Sequence, residues 1–306
     1  MPKFAYFEGQ FVPINEAKVS IMTHALNYGT GVFEGIRAYW NAREEQLFVV
    51  RLLDHYRRML QSTRLLRMEL GLTAGQMSDL TVELLRREGY REDVYIRPLA
   101  YKANEIIGVR LHNLRDAFAI FCVPFGKYIE QQEGAKVCFS SWRRNDDNAI
   151  PPRGKVTGAY VNSALIKSEA MLNGYDEAIV LNADGHVSEG SAENLFIVRG
   201  GKLITPPVSA NILEGITRQA IIDLARNELG IETIERQIDR SEVYIADEAF
   251  FCGTGVEVTP IGSVDQIPLG NGGVGPITRQ IRDLYFRVVR GEEPKYRDWL
   301  TPVYPK

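Results

Sequence analysis

The stretch GKVTGAYVNSAL, residues 154 to 165, sets one lysine, Lys155, between a proline pair and a run of small residues that opens an apolar helix. A lysine there has two readings. It is a solvated loop charge, or it is an amine nucleophile whose pKa is lowered by desolvation or by a neighbouring cation so that it condenses with a carbonyl. In VSEGSAENLF, residues 187 to 196, two acids, Glu189 and Glu193, sit among small residues that lead into an apolar strand. An ionised acid partly buried there needs a specific partner, and the plain alternative is a wet turn. In LEGITRQAII, residues 213 to 222, glycine and Thr217 open a strongly periodic helix whose first amides favour an anion, though every helix has such an end. FCGTGVEVTP, residues 251 to 260, is a further Gly/Thr loop able to present backbone amides. HALNYGTGVFEGIRAY combines Tyr28, Phe33 and Arg37 with three glycines, and VYIRPLAY places Tyr95 and Arg97 on one face of a strand. An arginine at a strand end suits a carboxylate, or equally a structural ion pair.

These residues need elements to position them. The opening reads as a hairpin, FAYF and QFVPI about an EG turn. Strand-like LFVVR, VYIRPLAY and AFAIFCV alternate with helix-period LLDHYRRMLQSTRLL and AGQMSDLTVELLRREG, the latter with Thr73 as N-cap and Gly89 as stop. The strand pattern breaks at PFGKYIEQQEGA. The chain is therefore expected to form a small α/β domain over residues 1–123, a connection over 124–135 and a larger domain over 136–306. In that second part, AIVLNADGHVSEG and NLFIVRGGKLITP read as hairpins, and two helices end at Gly174 and Gly230. GNGGVG at 270 to 275 looks like a nucleotide loop but follows no convincing strand and continues into Pro276, so it reads as a turn.

Composition excludes several classes. The 306 residues carry a formal charge of -3 with both signs interspersed, giving neither a nucleic-acid stripe nor a polybasic membrane segment. The start lacks a signal-peptide pattern and no uncharged run approaches a membrane span, so a cytoplasmic protein is expected. Cys122, Cys138 and Cys252 lie among apolar neighbours without a CxxC pair and read as buried free thiols. Four scattered histidines give little support to zinc.

Taken together, HALNYGTGVFEGIRAY, HYRRML, YIRPL, GKVTGAYVNSAL, VSEGSAENLF, EGITRQAI and CGTGVEVTP resemble, nearly end to end and in order, the branched-chain amino acid aminotransferases of the fold-type IV pyridoxal-phosphate enzymes. The resemblance implies an α/β chain like that of D-amino acid aminotransferase, with a small N-terminal α/β domain and a larger C-terminal pseudo-barrel. It implies pyridoxal 5'-phosphate as cofactor, carried by Lys155. Glu189 would face the pyridine nitrogen and Tyr160 the ring's phenolic oxygen. Arg58 would grip the phosphate as a bidentate cation, with adjacent Arg57 as rival, helped by the amides of Ile216 and Thr217 and by Thr254. For the substrate it implies Tyr28, Phe33, Gly35, Arg37, Tyr95, Arg97 and Tyr128, with the backbone of Thr254, Gly255 and Val256 taking the α-carboxylate. Val109 would reach across a dimer interface, making the active unit at least a dimer of this chain. The reaction implied exchanges the amino groups of leucine, isoleucine or valine with 2-oxoglutarate; other partners are small molecules, not nucleic acid or membrane. Same-fold alternatives are D-amino acid or (R)-amine aminotransferases and aminodeoxychorismate lyase, and Arg110 in NEIIGVRLH departs from the expected pattern. A non-catalytic cofactor-binding protein would be expected to lack Lys155, Glu189 or Tyr160, and all three are in place.

Overall fold

Glu8 and Gly9 both take positive φ, 46° and 97°, the two-residue turn that right-handed strand twist favours. The strands Phe4–Phe7 and Gln10–Pro13 accordingly pair antiparallel across it. This hairpin edges an eight-stranded sheet in the computed structural model, which describes residues 2–126 and 134–305. From the far edge the order is Leu300–Pro302, Gln46–Val50, Ile36–Asn41, Val94–Lys102, Asp116–Pro124 and then the hairpin, with Gly31–Phe33 also on Val94–Lys102. Period-2 burial along Val94–Lys102 hides Val94, Ile96, Pro98 and Ala100 and leaves Tyr95 and Arg97 partly open on the other face.

Two helices accompany this sheet, Leu52–Leu65 and Ala74–Glu88. The second begins with a reciprocal Thr73/Gln76 capping box and ends where Gly89 takes φ 71°, so the expected cap and stop are both present. Tyr56, Met59, Met77, Leu84 and Leu85 are fully buried and make the apolar interior of the pair, which supplies most of what holds two such amphipathic helices.

The chain divides into two compact units, Met1–Gly126 with Gly154–Gly158 and Arg287–Lys306, and Lys127–Arg153 with Ala159–Phe286. Residues 154–158 and 287–306, expected in the larger domain, thus belong with the first unit. The reason is strand pairing: Val156 bridges Val32, and Leu300–Pro302 pairs with Gln46–Val50.

The second unit holds a nine-stranded mixed sheet in the order Val187–Gly190, Glu177–Leu181, Ala135–Arg143, Glu257–Val264, Glu248–Gly253, Asn194–Arg199, Lys202–Thr205, Thr233–Glu235, with Ile267–Pro268 on Glu257–Val264. The expected GG hairpin is there, with Gly200 and Gly201 at φ 55° and 76°. Leu195, Ile197, Phe251, Ile261 and Val264 centre its core. Tyr160–Leu172 and Ile216–Glu228 are the two expected helices, followed by Gly174 at φ 80° and Gly230 at φ 64°. The GNGGVG stretch is turn and bend, as expected. The next helix, Pro276–Val289, has its first amides taken by the protein's own Glu248, which accepts from Ile277 and Thr278 at 3.0 and 2.7 Å. All three cysteines are free and buried. Burial pushes the Cys138 thiol up to about 11 and the other two further, so they are poor nucleophiles.

Candidate active site

In the first unit Lys155 lies in a loop just before the Thr157–Ala159 turn, partly buried. Its peptide is held on both sides. The Phe33 N–H donates to the Lys155 carbonyl at 3.0 Å, and the Lys155 N–H donates to Ser62 Oγ at 3.2 Å. Its Nζ stands 5.0 Å from the centroid of the Phe33 ring. Close backbone approach explains the glycines of NYGTG. A Cβ on Gly29, which takes φ 66°, would come 2.7 Å from the Gly158 Cα, and one on Gly31 would meet Thr157 at 3.1 Å. The Thr157 hydroxyl donates to the Gly29 carbonyl at 2.8 Å, which fixes that approach.

Arg57 and Arg58, rivals in the sequence, part company here. Arg57 is exposed and pairs with Asp54 at 3.1 Å. Arg58 is buried, and Glu34 accepts from its Nε at 2.8 Å and from its Nη2 at 2.7 Å. Glu34 thus occupies the Nε/Nη2 fork of the guanidinium. His55 Nδ1 adds a third bond to the same carboxylate at 2.8 Å. Burial works against the Glu34 charge, but Arg58 and His55 outweigh it and bring the carboxyl down to about 2. Burial also lowers His55 below its ordinary value, so the imidazole is neutral and Nδ1 carries the donated proton.

The aromatic wall is also in this unit. The Arg97 guanidinium lies 4.5 Å from the Phe33 ring centroid and 5.1 Å from that of Tyr95, and its Nη2 donates to the Tyr95 hydroxyl at 3.0 Å. Among the described residues Arg97 Nε is buried with no hydrogen-bond partner, an unmet donor suited to a carboxylate. Gly35 has no side chain because Tyr95 occupies the space: a Cβ there would lie 2.2 Å from the Tyr95 hydroxyl. Arg37, expected to touch substrate, is buried. Its Nη2 donates to the Phe125 and Gly126 carbonyls at 3.1 and 2.6 Å, and it stacks on Tyr39 and Phe125. The Tyr28 hydroxyl accepts from the Gly108 N–H at 3.1 Å, and His24 Nε2 meets the Gly108 carbonyl at 2.9 Å. That clasp presents Val109, which is 84% exposed. Tyr128 lies outside the described residues.

The second unit builds a carboxylate site. Glu189, on Val187–Gly190, is buried. Arg144 Nη2 pairs with its Oε1 at 2.5 Å, and its Oε2 accepts from Asn194 Nδ2 at 2.9 Å and from the Leu213 N–H at 3.2 Å. Asn194 in turn requires Gly215, where a Cβ would lie 2.0 Å from Asn194 Oδ1. Gly215 is the N-cap of the Ile216–Glu228 helix and no side chain caps it, so the Ile216 and Thr217 amides are not taken by a capping side chain, unlike those at Ile277 and Thr278. Thr254, Gly255 and Val256 form the three-residue loop between Gly253 and Glu257, with Glu257 in the left-handed region at φ 57°. Tyr160 opens its helix, partly exposed. Glu193 is buried as well, not on a wet turn.

Sequence reading passed over Glu34, His55, Ser62, Arg144 and Asn194. Glu34 stands between the named Phe33 and Gly35, and His55 three places before Arg58, so adjacency and helical spacing were the available signals. Arg144 had none, since its partner is 45 residues away.

Each unit holds donors that suit part of pyridoxal phosphate. In the first, a lysine with a fixed backbone suits the carbonyl and a buried arginine suits an anion; in the second, a buried carboxylate held by a cation suits a pyridinium, and helix amides that no side chain caps suit an anion. Among the described residues no helix is long and apolar enough to cross a membrane. Residues 31–264 match the family model for amino-transferase class IV. The chain is 53% identical over 303 residues to a probable branched-chain-amino-acid aminotransferase of Aquifex aeolicus, covering 99% of this chain and 97% of that one. Among solved structures it is similar to the branched-chain amino acid aminotransferase of Thermobaculum terrenum in its PLP form, at TM-score 0.94 and 44% identity, covering 99% of each chain. It is similar also to the branched-chain aminotransferase of the thermophilic archaeon Thermoproteus uzoniensis with norvaline, at TM-score 0.94 and 48% identity, covering 98% of this chain and 99% of that one. The D-amino acid and (R)-amine alternatives gain no support from these relatives. The chain is a class IV aminotransferase and belongs to the branched-chain amino acid aminotransferase family.

Proposed function

We propose that this protein transfers amino groups from leucine, isoleucine and valine to 2-oxoglutarate, using pyridoxal phosphate. The observation that carries the reading is Lys155, its peptide held by Phe33 and Ser62 at 3.0 and 3.2 Å so that one amine has a fixed origin. Pyridoxal phosphate, when bound, supplies an electrophilic carbonyl carbon and a ring that delocalises the electron pair left by a departing α-proton. Lys155 would hold the cofactor through Nζ, and its amine would serve as the general base that takes the substrate's α-proton and as the general acid that returns it. Glu189, braced by Arg144, keeps negative charge for a protonated pyridine nitrogen. Tyr160 offers a phenol to the ring oxygen, and Arg58 with the Ile216 and Thr217 amides and Thr254 binds phosphate.

Substrate choice follows from the walls. Phe33, Tyr28 and Tyr95 offer apolar surface to a branched side chain, while Arg97, with its unmet Nε, takes the second carboxylate of 2-oxoglutarate. The α-carboxylate is assigned to the backbone of Thr254, Gly255 and Val256. Val109, exposed at the tip of its clasp, is assigned to a second copy's site, making the working form a dimer in the cytoplasm. Two half-reactions on one site give ping-pong kinetics.

The test is the visible absorbance of the cofactor-loaded enzyme. L-leucine should bleach the cofactor's band and 2-oxoglutarate restore it, and Lys155→Ala should abolish both changes. Bleaching by D-alanine or an (R)-amine but not by L-leucine would move the function to the alternative substrates, and turnover retained by Lys155→Ala would overturn the mechanism.

A further inference from the structure

The dipeptide Phe33–Glu34 and one helical turn, Arg58 to Ser62, hold two groups at once. The Phe33 N–H carries the Lys155 carbonyl at 3.0 Å, and the adjoining Glu34 side chain carries Arg58 through two bonds of 2.8 and 2.7 Å. On the helix side, Ser62 Oγ donates to the Arg58 carbonyl at 3.1 Å and accepts the Lys155 N–H at 3.2 Å. Glu34 itself is anchored by its N–H to the Pro98 carbonyl at 3.1 Å, and its side chain is fully buried. His55, one turn before Arg58, closes the carboxylate's remaining side at 2.8 Å.

We infer that Glu34 is a positioning residue for the cofactor's phosphate: acting through Arg58, and fixed relative to Lys155 by the same dipeptide, it sets the span between the phosphate-binding cation and the amine. This rests on the reading of Arg58 as a phosphate ligand. A guanidinium on a long flexible stem loses rotamer freedom when it binds an anion, and a buried bidentate carboxylate removes that freedom beforehand. The Nε/Nη2 edge is engaged by Glu34, so the plane of the guanidinium is set by the carboxylate's position and not by the stem. His55 serves the same end, since a neutral imidazole donor orients Glu34 without adding a second cation.

The inference is tested by stripping the full-length enzyme of cofactor and measuring, from the visible band, its affinity for pyridoxal phosphate and for pyridoxal, which lacks the phosphate. Arg58→Lys is the reference: it should weaken pyridoxal phosphate binding about ten-fold or more while barely changing pyridoxal. Glu34→Gln should show the same selectivity, and Glu34→Asp, which keeps the charge at shorter reach, a smaller version of it. The double variant Glu34→Gln, Arg58→Lys should lose little more than Arg58→Lys alone, because the two act as one unit. If Arg58→Lys leaves pyridoxal phosphate binding intact, the phosphate role of Arg58 fails. If Arg58→Lys weakens it but the Glu34 variants do not, the inference alone fails. Equal weakening of both ligands by Glu34→Gln, or by Glu34→Asp should the former not fold, would make Glu34 a residue of the fold and overturn the positioning role.

Discussion

Arg144 and Glu189 form an ion pair of 2.5 Å in which the carboxylate side chain is 3% exposed and the guanidinium 12%. Such a pair is costly to break from one side, because the partner is left charged and buried. Arg144 is further held by the Asn211 carbonyl at 3.2 Å and by its own N–H to the Leu181 carbonyl at 3.0 Å. The pair therefore fixes where Glu189 points. On the role proposed for Glu189, Arg144→Met should lower kcat by about a hundred-fold and reduce stability by about 3 kcal/mol. Steady-state kinetics and thermal unfolding check both. A kcat within two-fold of the parent, as a rough limit, would show that Asn194 and Leu213 suffice to hold Glu189.

Gly35 and Tyr95 share one space, and the Tyr95 hydroxyl is tied to Arg97 at 3.0 Å. Gly35→Ala must push the Tyr95 ring aside and with it the bond that orients Arg97. On the role proposed for Arg97, the loss should fall on the substrate with a second carboxylate. We expect kcat/KM for 2-oxoglutarate to drop about ten-fold relative to that for a branched-chain 2-oxo acid, the size of a misplaced polar contact. Equal losses for the two 2-oxo acids would detach Arg97 from carboxylate recognition.

What could be read ahead of the structure was local. The Glu8–Gly9 and Gly200–Gly201 turns, the Thr73 cap and the closures at Gly89, Gly174 and Gly230 are decided by residues within a few positions of one another. Lys155, Glu189 and Arg58 were named by the order of motifs along the chain. What escaped was long-range: Glu34 is 24 residues from Arg58, and the last strand pairs with one some 250 residues earlier. Arg37 shows the same limit, since its bonds to the Phe125 and Gly126 carbonyls span 88 and 89 residues. Residue type announces capacity for chemistry. Whether the capacity is engaged inside the protein depends on what the fold brings beside it.

Two buried glutamates should give stability opposite dependences on pH. Glu34 titrates at about 2, below its ordinary 4.5: burial opposes its charge, and Arg58 and His55 more than compensate. Its contribution, on the order of 3 kcal/mol, is complete above 4.5 and is lost as pH falls through 2. Glu193 is the reverse. Burial first, and then the charge of Glu177 beside it, raise its carboxyl well above 4.5. The stability it contributes is complete below 4.5 and is lost as pH rises through its raised value, where a second buried carboxylate must ionise. Glu193→Gln cannot ionise, and its amide oxygen can still accept the Ala192 N–H, which now meets the carboxylate at 2.6 Å. The variant should therefore match the parent's thermal midpoint in mild acid and exceed it by several degrees at about pH 9. Glu34→Gln should flatten the acid limb and leave the alkaline one alone. Midpoints followed between about pH 3 and 9 separate the two, and a Glu193→Gln midpoint that tracks the parent across the alkaline range would mean that Glu193 does not hold its proton in the folded protein.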